Sequence, residues 1–124
     1  MLNRDLLYKI TENMGVKITD DAFKRFDIYA ELLFETNKQF NLTAITEPDD
    51  MTVKHFADCL SVFKYTDFKE GAKLIDVGTG AGFPGLVILL ARPDLDITFL
   101  DGTGKKLAFI ESVLSEVGLN GHIL

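Results

Sequence analysis

The stretch Leu74-Ile75-Asp76-Val77-Gly78-Thr79-Gly80-Ala81-Gly82-Phe83-Pro84-Gly85 reads as a short buried strand, a glycine-rich turn and the start of a helix. Leu74, Ile75 and Val77 are apolar and partly β-branched, the pattern of an inner strand in a parallel sheet. The glycines let the chain turn sharply, with no Cβ to keep a ligand from the backbone. Pro84 suits the first turn of the helix that follows, where its missing N–H costs nothing.

The glycine spacing, Gly78, Gly80 and Gly82, is G-x-G-x-G. A dinucleotide fingerprint needs a glycine where Phe83 stands. Asp76 is more telling. It lies at the mouth of the strand, where a carboxylate would repel a pyrophosphate seated on the helix N-terminus. It suits a ligand with cationic groups, such as the sulfonium and ammonium of S-adenosylmethionine. Further on, Asp96-Ile97-Thr98-Phe99-Leu100-Asp101 reads as a second strand ending in an acid. Asp101 comes 23 residues after Gly78, close to the roughly 20 expected for an acid that grips a ribose. The glycines alone are weak evidence; with an acid on either side they indicate a nucleoside site.

At these residues the chain resembles a known family. The segment from Asp76 to Gly85 is similar to the cofactor loop of the bacterial methyltransferases that modify guanine N7 in small-subunit ribosomal RNA, also called glucose-inhibited division protein B. Asn41-Leu42-Thr43-Ala44-Ile45, Lys54-His55-Phe56-Ala57-Asp58 and Leu100-Asp101-Gly102-Thr103-Gly104-Lys105-Lys106 stand in the same order as that family's segments. The resemblance spans nearly the whole chain and departs at Cys59 and Gly102, where the family pattern has serine. It implies a Rossmann-like class I S-adenosylmethionine-dependent methyltransferase, an α/β fold, acting on small-subunit ribosomal RNA. With the chemistry above, it implies that the backbone at Gly78 and Gly80 faces the cofactor and that Phe83 packs nearby. Asp76 then favours the cationic end, directly or through water, and Asp101 accepts from the ribose hydroxyls. The plainer readings are a tight strand–helix turn without a ligand and, for Asp101, a solvated strand end.

Composition sets the outer bounds. The 124 residues are one domain's worth of chain, and 47% hydrophobic content can form a core. No apolar run is long enough to span a membrane, and the charged start, Met1 to Leu7, does not read as a signal peptide. Cys59 is the only cysteine, which excludes an internal disulfide and a cysteine zinc cluster and fits a reducing cytoplasm. The net charge of −6 counts against nucleic-acid binding by bulk attraction. Residues 1–70 carry 9 bases and 13 acids, and residues 71–124 carry 4 bases and 6 acids. An RNA partner therefore needs a local basic patch or basic residues beyond Leu124.

In chain order, residues 3–13 read as an amphipathic helix with Leu6, Leu7 and Ile10 on one face, ended by Gly15. Thr19 caps the next helix, and Asp20 and Asp21 suit its dipole. There Phe23, Phe26, Ala30, Leu33, Phe34 and Phe40 keep helical spacing, which indicates core packing rather than a base-stacking surface. Residues 37–46 read as a loop. Glu47-Pro48-Asp49-Asp50 starts a helix running to about Lys64, with Val53, Phe56, Ala57, Leu60 and Phe63 inward; its acids read as a cap and a solvated face rather than a metal site. His55 and Asp58 are three apart, hence neighbours on one face: either a general-base pair or, the plainer reading, a histidine that packs or hydrogen-bonds beside the cofactor unit. Cys59 reads as a small buried filler. A helix at about 84–91, a strand at 96–101, a helix at about 103–117 ended by Gly118, and the opening of a third strand at His122-Ile123-Leu124 complete the pattern.

The expected organisation is a helical region, 1–70, followed by the first part of a cofactor-binding α/β domain, 71–124. Two strands and the start of a third make an incomplete sheet, so the chain reads as a fragment expected to methylate weakly or not at all. Lys105 and Lys106 could meet phosphate or only water. The other function classes are a small-molecule methyltransferase or NAD-linked oxidoreductase, the latter disfavoured by Asp76 and Phe83, and a non-catalytic interaction module. No catalytic residue and no metal are expected.

Overall fold

The computed structural model describes residues 2–44 and 46–124. Ile45, within the segment read as a loop, lies outside the described residues. Helix α1 (Arg4–Met14) starts where the Asn3 side chain accepts from the Leu6 N–H, and stops at Gly15, whose φ of 75° only glycine adopts freely. Helix α2 (Asp20–Asn37) starts at Thr19, whose hydroxyl accepts from the Ala22 N–H. It buries Phe23, Phe26, Tyr29, Ala30 and Leu33 along one stripe. Phe34 does not join that stripe. It is 37% exposed and carries the Lys38 ammonium 5.0 Å above its ring, in the last turn of the helix.

The next helical run differs from the sequence expectation in its winding. Helix α3 (Pro48–Asp50) passes without a break into a π-helical segment (Met51–Ala57) and then α4 (Asp58–Leu60), and α5 (Val62–Tyr65) follows a turn at Ser61. The Asp58 N–H reaches back to the Val53 carbonyl, five residues earlier. Buried positions accordingly recur at spacing five, Met51 with Phe56 and Thr52 with Ala57. Val53, expected inward on a 3.6-residue period, is 42% exposed instead.

The C-terminal part alternates strand and helix: β1 (Lys73–Val77), α6 (Gly85–Ala91), β2 (Asp96–Leu100), α7 (Gly104–Val117) and β3 (His122–Ile123). The strands form one parallel sheet in the order β1-β2-β3, with Asp76 opposite Phe99 and Val77 opposite Leu100. Right-handed crossovers put α6 and α7 on the same face. Ile97 and Phe99 are buried under those helices, and Leu74 and Asp76 share their face by register. Gly85 to Leu90 are all buried, as befits a helix held between the sheet and α2.

Among the described residues β1 borders only β2, and Ile75 and Val77 are 58% and 69% exposed. They point to the sheet face opposite α6 and α7, since successive side chains alternate. The core is continuous nevertheless. Leu7, Phe26, Tyr29 and Phe56 from the helical part share one apolar cluster with Leu86, Leu89, Phe99 and Phe109. Among the described residues, no helix is long and apolar enough to cross a membrane.

Candidate functional site

The turn after β1 is built from three left-handed glycines, Gly78 at φ 69°, Gly80 at 57° and Gly82 at 104°. Each alternates with a residue of ordinary φ, which is the local reason for the G-x-G-x-G spacing. Their surroundings differ. A Cβ on Gly78 or Gly80 would meet nothing within 4 Å, so this side of the loop is bare backbone open to a ligand. A Cβ on Gly82 would lie 2.8 Å from the Tyr29 hydroxyl, and one on Gly85 would lie 2.5 Å from Asp76 Oδ2. Those two glycines are required by the protein's own packing. The loop is tied to β2 by the Gly78 and Thr79 amides, which both donate to the Leu100 carbonyl at 2.7 and 3.1 Å.

Asp76 and Asp101 hold this loop from its two sides. Asp76 Oδ2 accepts from the Thr79 hydroxyl at 2.6 Å and from the Gly85 N–H at 2.8 Å. Asp101 Oδ2 accepts from the Gly80 N–H at 2.8 Å, and its Oδ1 from the Thr103 N–H at 2.9 Å. The amides of Gly80, first, and Thr103 hold the Asp101 carboxyl below the usual carboxylate range. Each carboxylate oxygen has more than one lone pair, so these bonds leave acceptor capacity at both ends of the loop. Phe83 closes the far end, its ring 5.4 Å from that of Tyr29 and 5.9 Å, edge-on, from that of Phe56. Asp76, Gly78, Gly80 and Asp101 are thus brought together at the carboxyl ends of two adjacent parallel strands, with Phe83 bordering them.

Residues 22–124 match the family profile described as rRNA small subunit methyltransferase G, GidB. The chain belongs to this family. Among its relatives, the ribosomal RNA small subunit methyltransferase G of Clostridium perfringens (strain 13 / Type A) is 44% identical over 115 residues, covering 93% of this chain and 48% of the relative. That of Clostridium beijerinckii (strain ATCC 51743 / NCIMB 8052) is 42% identical, covering 92% and 48%. That of Alkaliphilus oremlandii (strain OhILAs) is 40% identical, covering 94% and 48%. The chain spans about half the length of the curated relatives it matches.

In this GidB-family chain, the helical part supplies contacts that the glycine motif did not reveal. Tyr29 donates its hydroxyl to the Ala81 carbonyl at 2.6 Å, and burial keeps that phenol protonated by pushing its pKa well above the ordinary value. Thr79, buried between two glycines, occupies Asp76. Tyr29 kept the helical period of its neighbours, but nothing local marks its hydroxyl as a loop anchor. Thr79 carried a signal, a hydroxyl three residues after an acid on a tight turn.

His55 packs and hydrogen-bonds beside the glycine loop. Its ring stacks on Phe83 at 4.1 Å and 8°, and its Nε2 lies 2.9 Å from the Thr43 hydroxyl. Burial lowers its pKa, and Asp58 opposes that only as a nearby charge. Cys59 beside it has its thiol pushed up to about 12, by burial first and then by Asp58 and Asp76, the behaviour of an inert filler. The Lys105 ammonium sits 5.5 Å above the Phe40 ring, and Lys106 adds a positive charge near Asp101. Among the described residues, no group of three or more His, Cys, Asp or Glu side chains could hold a metal ion.

Proposed function

We propose that the loop 78–83 with Asp76 and Asp101 is the S-adenosylmethionine site of a Rossmann-like class I methyltransferase, carried by residues 71–124. The helical region 1–70 packs against it. The reaction is methyl transfer to N7 of a guanine in small-subunit ribosomal RNA, in the cytoplasm. Family membership supports the reaction. The cofactor reading rests on one observation: two carboxylates, with Asp101 held firmly ionised, flank one open glycine bend. That arrangement favours a cationic nucleoside and disfavours a diphosphate.

The bound cofactor would supply an electrophilic methyl carbon beside a sulfonium. Guanine N7 has a lone pair and no proton to lose, so its attack requires no general base. That agrees with a His55 whose Nε2 is engaged with Thr43. The chain's task is placement. The bare backbone at Gly78 and Gly80 admits the ligand closely, Asp76 faces its cationic end, Asp101 accepts from its ribose hydroxyls, and Phe83 borders it. Holding nucleophile, carbon and sulfur in line is the main source of rate, with the base presented out of its stack.

Calorimetric titration of the chain with S-adenosylmethionine and with NAD tests this. Binding of the first alone is the expected result, and binding of NAD alone would reverse the assignment to an NAD-linked oxidoreductase. Asp101→Ala should weaken S-adenosylmethionine binding by about tenfold, the size of a lost charge-assisted hydrogen bond. No change would favour a non-catalytic interaction module. Transfer of labelled methyl to small-subunit RNA, mapped by cleavage at N7-methylguanine, distinguishes the RNA reaction from a small-molecule one.

A further inference from the structure

The contacts of His55 run in two directions. One face of its ring lies flat on Phe83 at 4.1 Å and 8°, at the end of the glycine loop. Its Nε2 meets the Thr43 hydroxyl at 2.9 Å. Thr43 belongs to a segment with its own fold: the Asn37 side-chain oxygen accepts from the Leu42 and Thr43 amides at 2.7 and 3.0 Å. A single imidazole therefore touches the glycine loop and the 37–44 segment at once. It is carried on the π-helical stretch, whose neighbouring Phe56 is fully buried against Phe26 and Tyr29. The stretch that carries the ring is anchored by this buried neighbour, and the groups the ring contacts lie on two separate loops.

We propose that His55 is a positioning residue for the methyl-transfer site, holding the glycine loop through Phe83 and the 37–44 segment through Thr43 in one fixed relation. This rests on the reading of 78–83 as the cofactor loop. A stacked aromatic pair and a hydrogen bond each contribute modestly. Their value here is that the same ring makes both, so the loops lose freedom together and a ligand that needs both in place has less ordering left to do. Guanine N7, the proposed nucleophile, requires no base, so the ring's two contacts serve placement.

The test combines amide hydrogen exchange with S-adenosylmethionine titration of the full chain, for His55→Ala, His55→Phe and His55→Gln. In His55→Ala the amides of Thr43 and Phe83 should exchange faster by about tenfold together, while those of Ile97 and Phe99 in β2 stay unchanged. His55→Phe keeps the stack, so it should protect Phe83 and release Thr43, with cofactor affinity between those of the parent chain and His55→Ala. His55→Gln keeps a group at the Nε2 position, so it should protect Thr43, release Phe83 and weaken the cofactor. An equal rise at β2, or no rise at either segment, would overturn the proposal. So would cofactor affinity that ignores which contact is kept. If the parent chain binds no S-adenosylmethionine, the cofactor reading fails, and the exchange pattern still decides whether His55 holds the two segments.

Discussion

The hydroxyl of Tyr29 donates to the carbonyl of Ala81 across 2.6 Å, joining the middle of α2 to the glycine loop 52 residues later. Gly82 makes room for it, because a Cβ there would lie 2.8 Å from the same hydroxyl. Tyr29→Phe keeps the ring packing and removes the donor from a buried carbonyl. The expected loss is about 1–3 kcal/mol of stability in urea unfolding. A loss below about 0.3 kcal/mol would mean that the carbonyl finds another donor.

The glycines should rank by what surrounds them. Gly78→Ala meets open space and suffers only the left-handed φ of 69°, a cost of about 1–2 kcal/mol. Gly82→Ala combines a φ of 104° with collisions against Leu86 and Tyr29 and should cost about 3 kcal/mol or more. Gly85→Ala has helical backbone but collides with Asp76 Oδ2 and Phe99, for about 1–3 kcal/mol. Urea midpoints of the three variants test the order; Gly78→Ala being the worst would contradict it.

Stability should decline in acid through two carboxylates. The Arg92 guanidinium, bonded at 2.8 Å, holds Asp94 at about 2, helped by the Gly71 amide. The Gly80 and Thr103 amides lower Asp101. Both groups have folded pKa values below the ordinary carboxylate value of about 3.9. Their contribution is therefore complete above that value and is lost as pH falls through the folded one. For Asp94 the window runs from about 4 down to about 2. Urea unfolding at stepped pH should show the decline, and Asp94→Asn and Asp101→Asn should each flatten it.

The Cys59 thiol, raised to about 12 by its burial, should resist Ellman's reagent at pH 8 in the folded chain and react at once in urea. A folded-state rate at least about a hundredfold below the unfolded one is expected, since only thiolate attacks. Rapid labelling of the folded chain would show that the helix carrying Cys59 opens readily.

Much of this arrangement was legible in the chain because it depends on neighbours in sequence. Gly15, Thr19 and Gly118 mark helix ends through local hydrogen bonds and left-handed turns. Gly78, Gly80 and Gly82 mark a turn that only glycine makes comfortably, and the acids at 76 and 101 stand where strands end. What escaped depended on winding and on neighbours far along the chain. Val53 was read on a 3.6-residue period, and the π segment turned it outward. Ile75 and Val77, apolar and β-branched, lie on a sheet face that no element of this chain covers among the described residues. Apolar composition cannot report which face is covered.

The amino-acid sequence by itself determined the strand–glycine turn–helix unit and the acids beside it, because backbone sterics and charge act over a few residues. Only the tertiary structure decided that Asp101 grips the Gly80 amide across two strands. Only it placed Tyr29, His55 and Thr43 around Ala81 and Phe83. Those contacts come from helices packed across the sheet, where partners 12 to 52 residues apart meet and no local pattern encodes the meeting.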